Sequence, residues 1–132
     1  FNGRYAWNAL ASKEWKLGTS FSLVTGAKCT MVGGRWYGGV DAEQSDQFRE
    51  LVWDDATRNT RQFDDYFRFD LKTNLTWNRP STTHELGIDW VNVLGTENVL
   101  KLTYAPDDAS DTSVREEYQL GFLPIFFYRV DF

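Results

Sequence analysis

From Asp65 to Asn78 the chain alternates two kinds of residue without a break: Phe67, Phe69, Leu71, Thr73, Leu75 and Trp77 share one parity, while Tyr66, Arg68, Asp70, Lys72, Asn74, Thr76 and Asn78 share the other. A helix brings residues to one face about every 3.6 positions, so a sustained period of two is a strand with one greasy and one wet side. Asn78, Arg79, Pro80 and Ser81 then predict a tight turn, because Pro holds φ and offers no N–H to a ladder. A second strand follows, with Leu86, Ile88 and Trp90 on one face and Glu85, Gly87 and Asp89 on the other.

The same alternation recurs at both ends of the chain. From Glu117 to Phe132, Leu120, Phe122, Phe126, Tyr128, Val130 and Phe132 oppose Gln119, Gly121, Arg129 and Asp131. Pro124 inside this run predicts a bulge or an unpaired backbone position. Arg4 to Leu17 sets Tyr5, Trp7, Ala9, Ala11 and Trp15 against Arg4, Asn8, Ser12 and Glu14; Gly18 and Thr19 punctuate. Ser20 to Val32 sets Phe21, Leu23, Ala27, Cys29 and Met31 against Ser22, Gly26, Lys28 and Thr30. About five antiparallel strands are expected, an all-β fold.

Composition decides what surrounds them. Trp, Tyr and Phe make up 17% of the chain, yet its mean hydropathy is negative. A membrane helix needs about 20 consecutive apolar residues, and the longest apolar stretch, Phe122 to Tyr128, is far shorter. A transmembrane β-barrel reconciles the two facts, because only alternate residues meet lipid. The formal charge of −5, with no basic stripe, argues against nucleic acid. One cysteine, Cys29, excludes an internal disulfide and thiolate metal clusters, and no cofactor is expected. With no initiator Met and no charged-then-apolar leader, the numbering is expected to begin inside a processed, truncated or cleaved chain.

Connection lengths supply a direction. Turns near Gly18 and Pro80 are short, whereas Gly33 to Asp64 and Gly95 to Glu116 are longer than loops in compact domains usually are. Membrane barrels have short periplasmic turns and long extracellular loops, so Pro80 and Phe132 are both expected on the periplasmic side. Tyr5, Trp7 and Phe67 then lie at the outer rim, and Trp15, Phe21, Trp77 and Tyr128 at the inner one. Five strands cannot close such a barrel, which takes about eight at least, so further strands must come from other sequence.

The run DDYFRFDLKTNLTWNRPSTTHELGIDWVNVLGTENV and the ending EEYQLGFLPIFFYRVDF resemble the C-terminal strands of TonB-dependent outer-membrane receptors, particularly those of the Bacteroidota. The opening YAWNALASKEWKLG and the segment GGRWYGGVD resemble the two preceding strands and the start of their loop, so the likeness covers nearly the whole chain. The resemblance implies that residues 1–132 are the C-terminal part of a barrel of about 22 strands whose lumen is filled by a plug domain carried elsewhere. It further implies import of a scarce nutrient, energised through the TonB complex, in the outer membrane of a Gram-negative bacterium. The first long loop departs from the family: receptors often read RRYTP there, and this chain has Arg35, Trp36, Tyr37, Gly38 and Gly39.

Phe126, Tyr128, Val130 and Phe132 resemble the terminal signal read by the barrel assembly machinery, and a strand edge can be read by β-augmentation. Trp36, Tyr37 and Trp53 are the candidate ligand contacts, since aromatics in the first long loop can stack on a sugar or siderophore. No catalytic residue is expected. His84 is the lone histidine, with no Cys near it in sequence, and reads as a boundary residue. Asp107, Asp108 and Asp111 lack the glycine and distal glutamate of a calcium loop, and Asp54, Asp55, Asp64 and Asp65 have no spacing that defines a carboxylate pair. Asn74, Leu75 and Thr76 form a sequon whose Asn faces the wet side. The competing expectations are a soluble lipid-binding barrel of lipocalin or fatty-acid-binding type, whose apolar residues would face inward, and a surface adhesin or lipid-anchored binding module, which needs no greasy strand faces.

Overall fold

The structure is a computed structural model that describes residues 3–106 and 113–132. Its strands are β1 (Ala6–Lys16), β2 (Phe21–Val32), β3 (Trp36–Tyr37), β4 (Arg61–Gln62), β5 (Tyr66–Asn78), β6 (Thr83–Val91), β7 (Val99–Tyr104), β8 (Val114–Tyr118) and β9 (Leu123–Asp131). A short helix, α1 (Ala42–Phe48), and a 3₁₀ turn at Asp55–Thr57 lie between β3 and β4. Two compact units result: the first comprises Phe1–Ala6, Val32–Tyr66 and Glu97–Gln119, the second Trp7–Met31, Phe67–Thr96 and Leu120–Phe132.

The second unit is a sheet of five strands in the order β1-β2-β5-β6-β9. Each segment of strong alternation became one of its strands. β1 and β2 form a hairpin closed by the Leu17 N–H on the Phe21 carbonyl, at 3.0 Å, with Gly18 at φ +130 in the turn. The Asn78 N–H on the Ser20 carbonyl, at 2.8 Å, ties the end of β5 to the start of β2. β5 pairs antiparallel with β6, and β6 antiparallel with β9. One face therefore carries the cross-strand rows Leu71/Trp90/Pro124, Thr73/Ile88/Phe126 and Leu75/Leu86/Tyr128. The reverse carries Lys72/Asp89/Ile125, Asn74/Gly87/Phe127 and Thr76/Glu85/Arg129.

No hydrophobic side chain among the described residues is buried. A soluble sheet this rich in Leu, Phe and Trp would turn its greasy face into a core. Instead Leu71, Leu86, Phe126 and Tyr128 are exposed, Phe126 at 65%, and the described strands do not close a barrel. Ion pairs hold the other face: Arg129 meets Glu85 at 2.7 Å, and Lys72 stands 3.8 Å from Asp89.

Of the two forms expected at Pro124, a bulge or an unpaired backbone position, the second holds: it makes no bulge, and lies in register opposite Trp90. It sits on an edge strand of the described sheet, where every second N–H faces away from the single neighbour, so the missing donor breaks nothing. The interruption falls earlier, at residues 119–122, because Glu117 and Tyr118 end β8 rather than begin the last strand.

The first unit contains the long connections, which carry structure of their own. β3 pairs with β4 and β7 with β8, both antiparallel, the second with an irregularity between Val99 and Lys101. α1 has an Asp41 N-cap whose Oδ1 accepts from the Gln44 N–H at 3.0 Å, while the Gln44 amide donates back to Oδ2 at 2.8 Å. At its far end Arg49 takes a left-handed conformation, φ 55. Ser45, fully buried, donates to the Asp41 carbonyl and accepts from the Val52 N–H, stitching the helix to the returning chain.

Candidate functional site

The first unit brings together residues far apart in the chain. Pairing of β3 with β4 sets Tyr37 opposite Arg61, and this places Phe63 against Tyr37, the rings stacked at 4.1 Å between centroids and 20° between planes. Trp53 meets the same tyrosine edge-on at 6.3 Å, held by a β-bridge between Val40 and Trp53. Trp36 receives the Arg4 guanidinium over its ring at 5.4 Å. Of the three residues expected to meet ligand, Tyr37 thus spends one ring face on Phe63, whereas Trp53 stays exposed.

Two hollows flank this cluster. One, of about 220 Å³, is lined by Arg35, Trp36, Tyr37, Trp53, Phe63 and Leu100, among others. The other, of about 350 Å³, is lined by Arg35, Phe63, Asp64, Tyr66, Asn98 and Gln119, with apolar residues between. Arg35, Phe63 and Leu100 are common to both. The guanidinium is held by the Leu100 carbonyl and lies over the Phe63 ring, 5.6 Å from its centroid. Lys101 is occupied by Glu117 at 3.2 Å. Rings with a few fixed polar groups around a concavity are what a small organic ligand needs.

Near these hollows the Tyr5 hydroxyl donates to Asp65 at 2.6 Å, and the Gly34 N–H donates to the other oxygen at 2.9 Å. The Tyr5 bond first, then the Gly34 bond, hold the Asp65 carboxyl below the ordinary carboxylate range, and the same partnership raises the Tyr5 phenol. The bond from Tyr118 to Glu116 similarly raises the Tyr118 phenol, helped by the nearby charges of Glu116, Glu97 and Asp64. Asp54 serves as a cap, accepting from the Ala56 N–H and the Thr57 hydroxyl, and Asp55 faces Arg58 at 3.6 Å. These bonds give Asp54, Asp55 and Asp65 local structural work. Asp107, Asp108 and Asp111 lie outside the described residues.

In the second unit, the terminal-strand residues Phe126, Tyr128 and Val130 share the apolar face, with Phe132 beyond the strand and fully exposed. His84 lies on that face too, stacked on Trp77 at 5.1 Å and on Tyr128 at 6.1 Å. Its ring nitrogens meet the Tyr128 hydroxyl at 2.7 Å and the Thr82 hydroxyl at 3.1 Å. Asn74 lies on the polar face, only 7% exposed, and donates to Glu85 at 2.6 Å.

Sequence reasoning missed Phe63, Arg35 and Phe127. For the first two no local pattern existed, since both act through partners distant in the chain. Phe127 did leave a trace, as an apolar residue on the polar parity of its strand. A scan against family models and searches of curated proteins and of solved structures find no match to this chain.

Proposed function

We propose that this chain is part of the wall and outer loops of a bacterial outer-membrane β-barrel that imports a scarce nutrient, a receptor of the TonB-dependent kind. The observation that carries the reading is the five-stranded sheet whose greasy face finds no core among the described residues while its reverse carries cross-strand ion pairs. Lipid on one face and water on the other satisfy both at once. The strand count adds a constraint. With five antiparallel strands the two edges, β1 and β9, run the same way, so a closed antiparallel barrel needs an odd number of further strands. In this reading those strands and a plug come from the rest of the receptor, and the aromatic hollows of the long connections meet the incoming ligand. The chain does no chemistry of its own.

Tryptophan quenching tests the lipid contact. In vesicles containing brominated lipid, Trp90, kept as the sole indole, is expected to be quenched strongly, whereas a lone Trp53 is expected to keep its emission. A chain that stays monomeric without detergent and binds a fatty acid in a closed interior would sink the proposal and favour the soluble barrel.

A further inference from the structure

On the polar face of the sheet, Asn74, Gly87 and Phe127 stand directly opposite one another across β5, β6 and β9. Gly87 is buried, and a methyl group built on it would fall 2.2 Å from two ring carbons of Phe127 and 2.9 Å from the Asn74 Oδ1. The ring therefore lies across the glycine backbone and fills the space a side chain would take. Phe122, Phe126, Tyr128 and Phe132 are all exposed, but Phe127 is half-buried. Its neighbours hold it in place: the Lys72 ammonium lies 5.7 Å from the ring centroid, and the Glu85–Arg129 pair occupies the next row.

We infer that Gly87 is a seat for the Phe127 ring and that this joint, on the face opposite the terminal apolar residues, sets the register in which the last strand docks. Alternation alone leaves an ambiguity. A slip of one residue reverses both faces and is excluded, but a slip of two keeps greasy to greasy and wet to wet. Such a slip sets Phe127 against Glu85 or Asp89, whose side chains fill the place that Gly87 leaves open, and breaks the Glu85–Arg129 pair. An aromatic ring over a cross-strand glycine thus distinguishes registers that hydrophobic pattern does not.

Oxidative cross-linking of the full chain, in a Cys29→Ser background, tests the assignment. Val91→Cys with Leu123→Cys reports the observed register, and Val91→Cys with Ile125→Cys or with Gly121→Cys reports the two slips. The parent is expected to cross-link the first pair and leave the others at background. Phe127→Ala should raise the ratio of a slipped product to the first about threefold, the scale of a lost cross-strand pair. Gly87→Ala, which pushes the ring's far edge out of its seat, should do the same. The two together should be no worse than Phe127→Ala alone, and Phe127→Tyr should keep the parent pattern. Unchanged products in both single variants overturn the inference. So does loss of every product without a slipped one, because that marks general misfolding. The outcome does not depend on whether lipid or another surface covers the opposite face.

Discussion

Asp65 is the residue whose chemistry is easiest to follow in solution, because two donors from different segments converge on it. Its folded pKa is depressed, so its contribution is present above the unfolded value and is lost as pH falls through the folded one. Tyr5 is raised, so its share is present below the ordinary phenol range and is lost as pH climbs through the folded value. Between these limits the Gly34 amide should be protected from hydrogen exchange, with protection falling only at acid pH below the ordinary carboxylate range; Asp65→Asn should flatten that acid limb. Asn92 makes the second residue-scale case. It is 1% exposed, left-handed at φ 51, and its amide group serves the Thr96 N–H and the carbonyls of Thr96 and Leu120. Asn92→Ala strands those groups and leaves a left-handed residue without its local bonds, which costs roughly 1–3 kcal/mol. Denaturant unfolding should show that loss, and Asn92→Asp should be no milder, since it removes the donors and buries a charge.

At the scale of elements, α1 is too short to stand alone, and its existence rests on caps. Asp41→Ala should cost about 1 kcal/mol, and Ser45→Ala more, because it removes the acceptor of the part-buried Val52 N–H and leaves a hole at a fully buried position. Exchange protection at Val52 separates the two variants. The helix start does carry a local signal, since Asp41-Ala42-Glu43-Gln44 is a capping-box pattern, but seven residues after it are too few to show a helical period. Four of the five long strands were legible almost to their ends because each strand's faces depend only on its own parity, whereas the run read from Glu117 enters the sheet only at Leu123. β3, β4, β7 and β8 were not, since two to six residues carry too little period, and each forms only where a distant partner completes its ladder.

At the scale of the whole molecule, the proposed membrane reading turns on whether one side of the sheet meets lipid. Ile88 lies mid-strand on the apolar face between Thr73 and Phe126. In the membrane reading Ile88→Arg should weaken folding of the whole closed barrel into vesicles by about 2–4 kcal/mol, the penalty of a charge near the bilayer midplane. Ser12→Arg, on the wet face, should change it little. Equal effects from both would argue against a lipid-facing side. What the chain specified locally was strand identity and the two chemistries of each strand, because a period of two is a property of neighbours in sequence. Only the tertiary structure decided the rest: that Phe63 completes the Tyr37 cluster, that Arg35 reaches Leu100, that Asn92 knots two segments, and that Gly87 accepts Phe127. Each of these is a contact between side chains or backbone separated by many residues, and parity carries no information about which strand, or which register of it, will stand opposite.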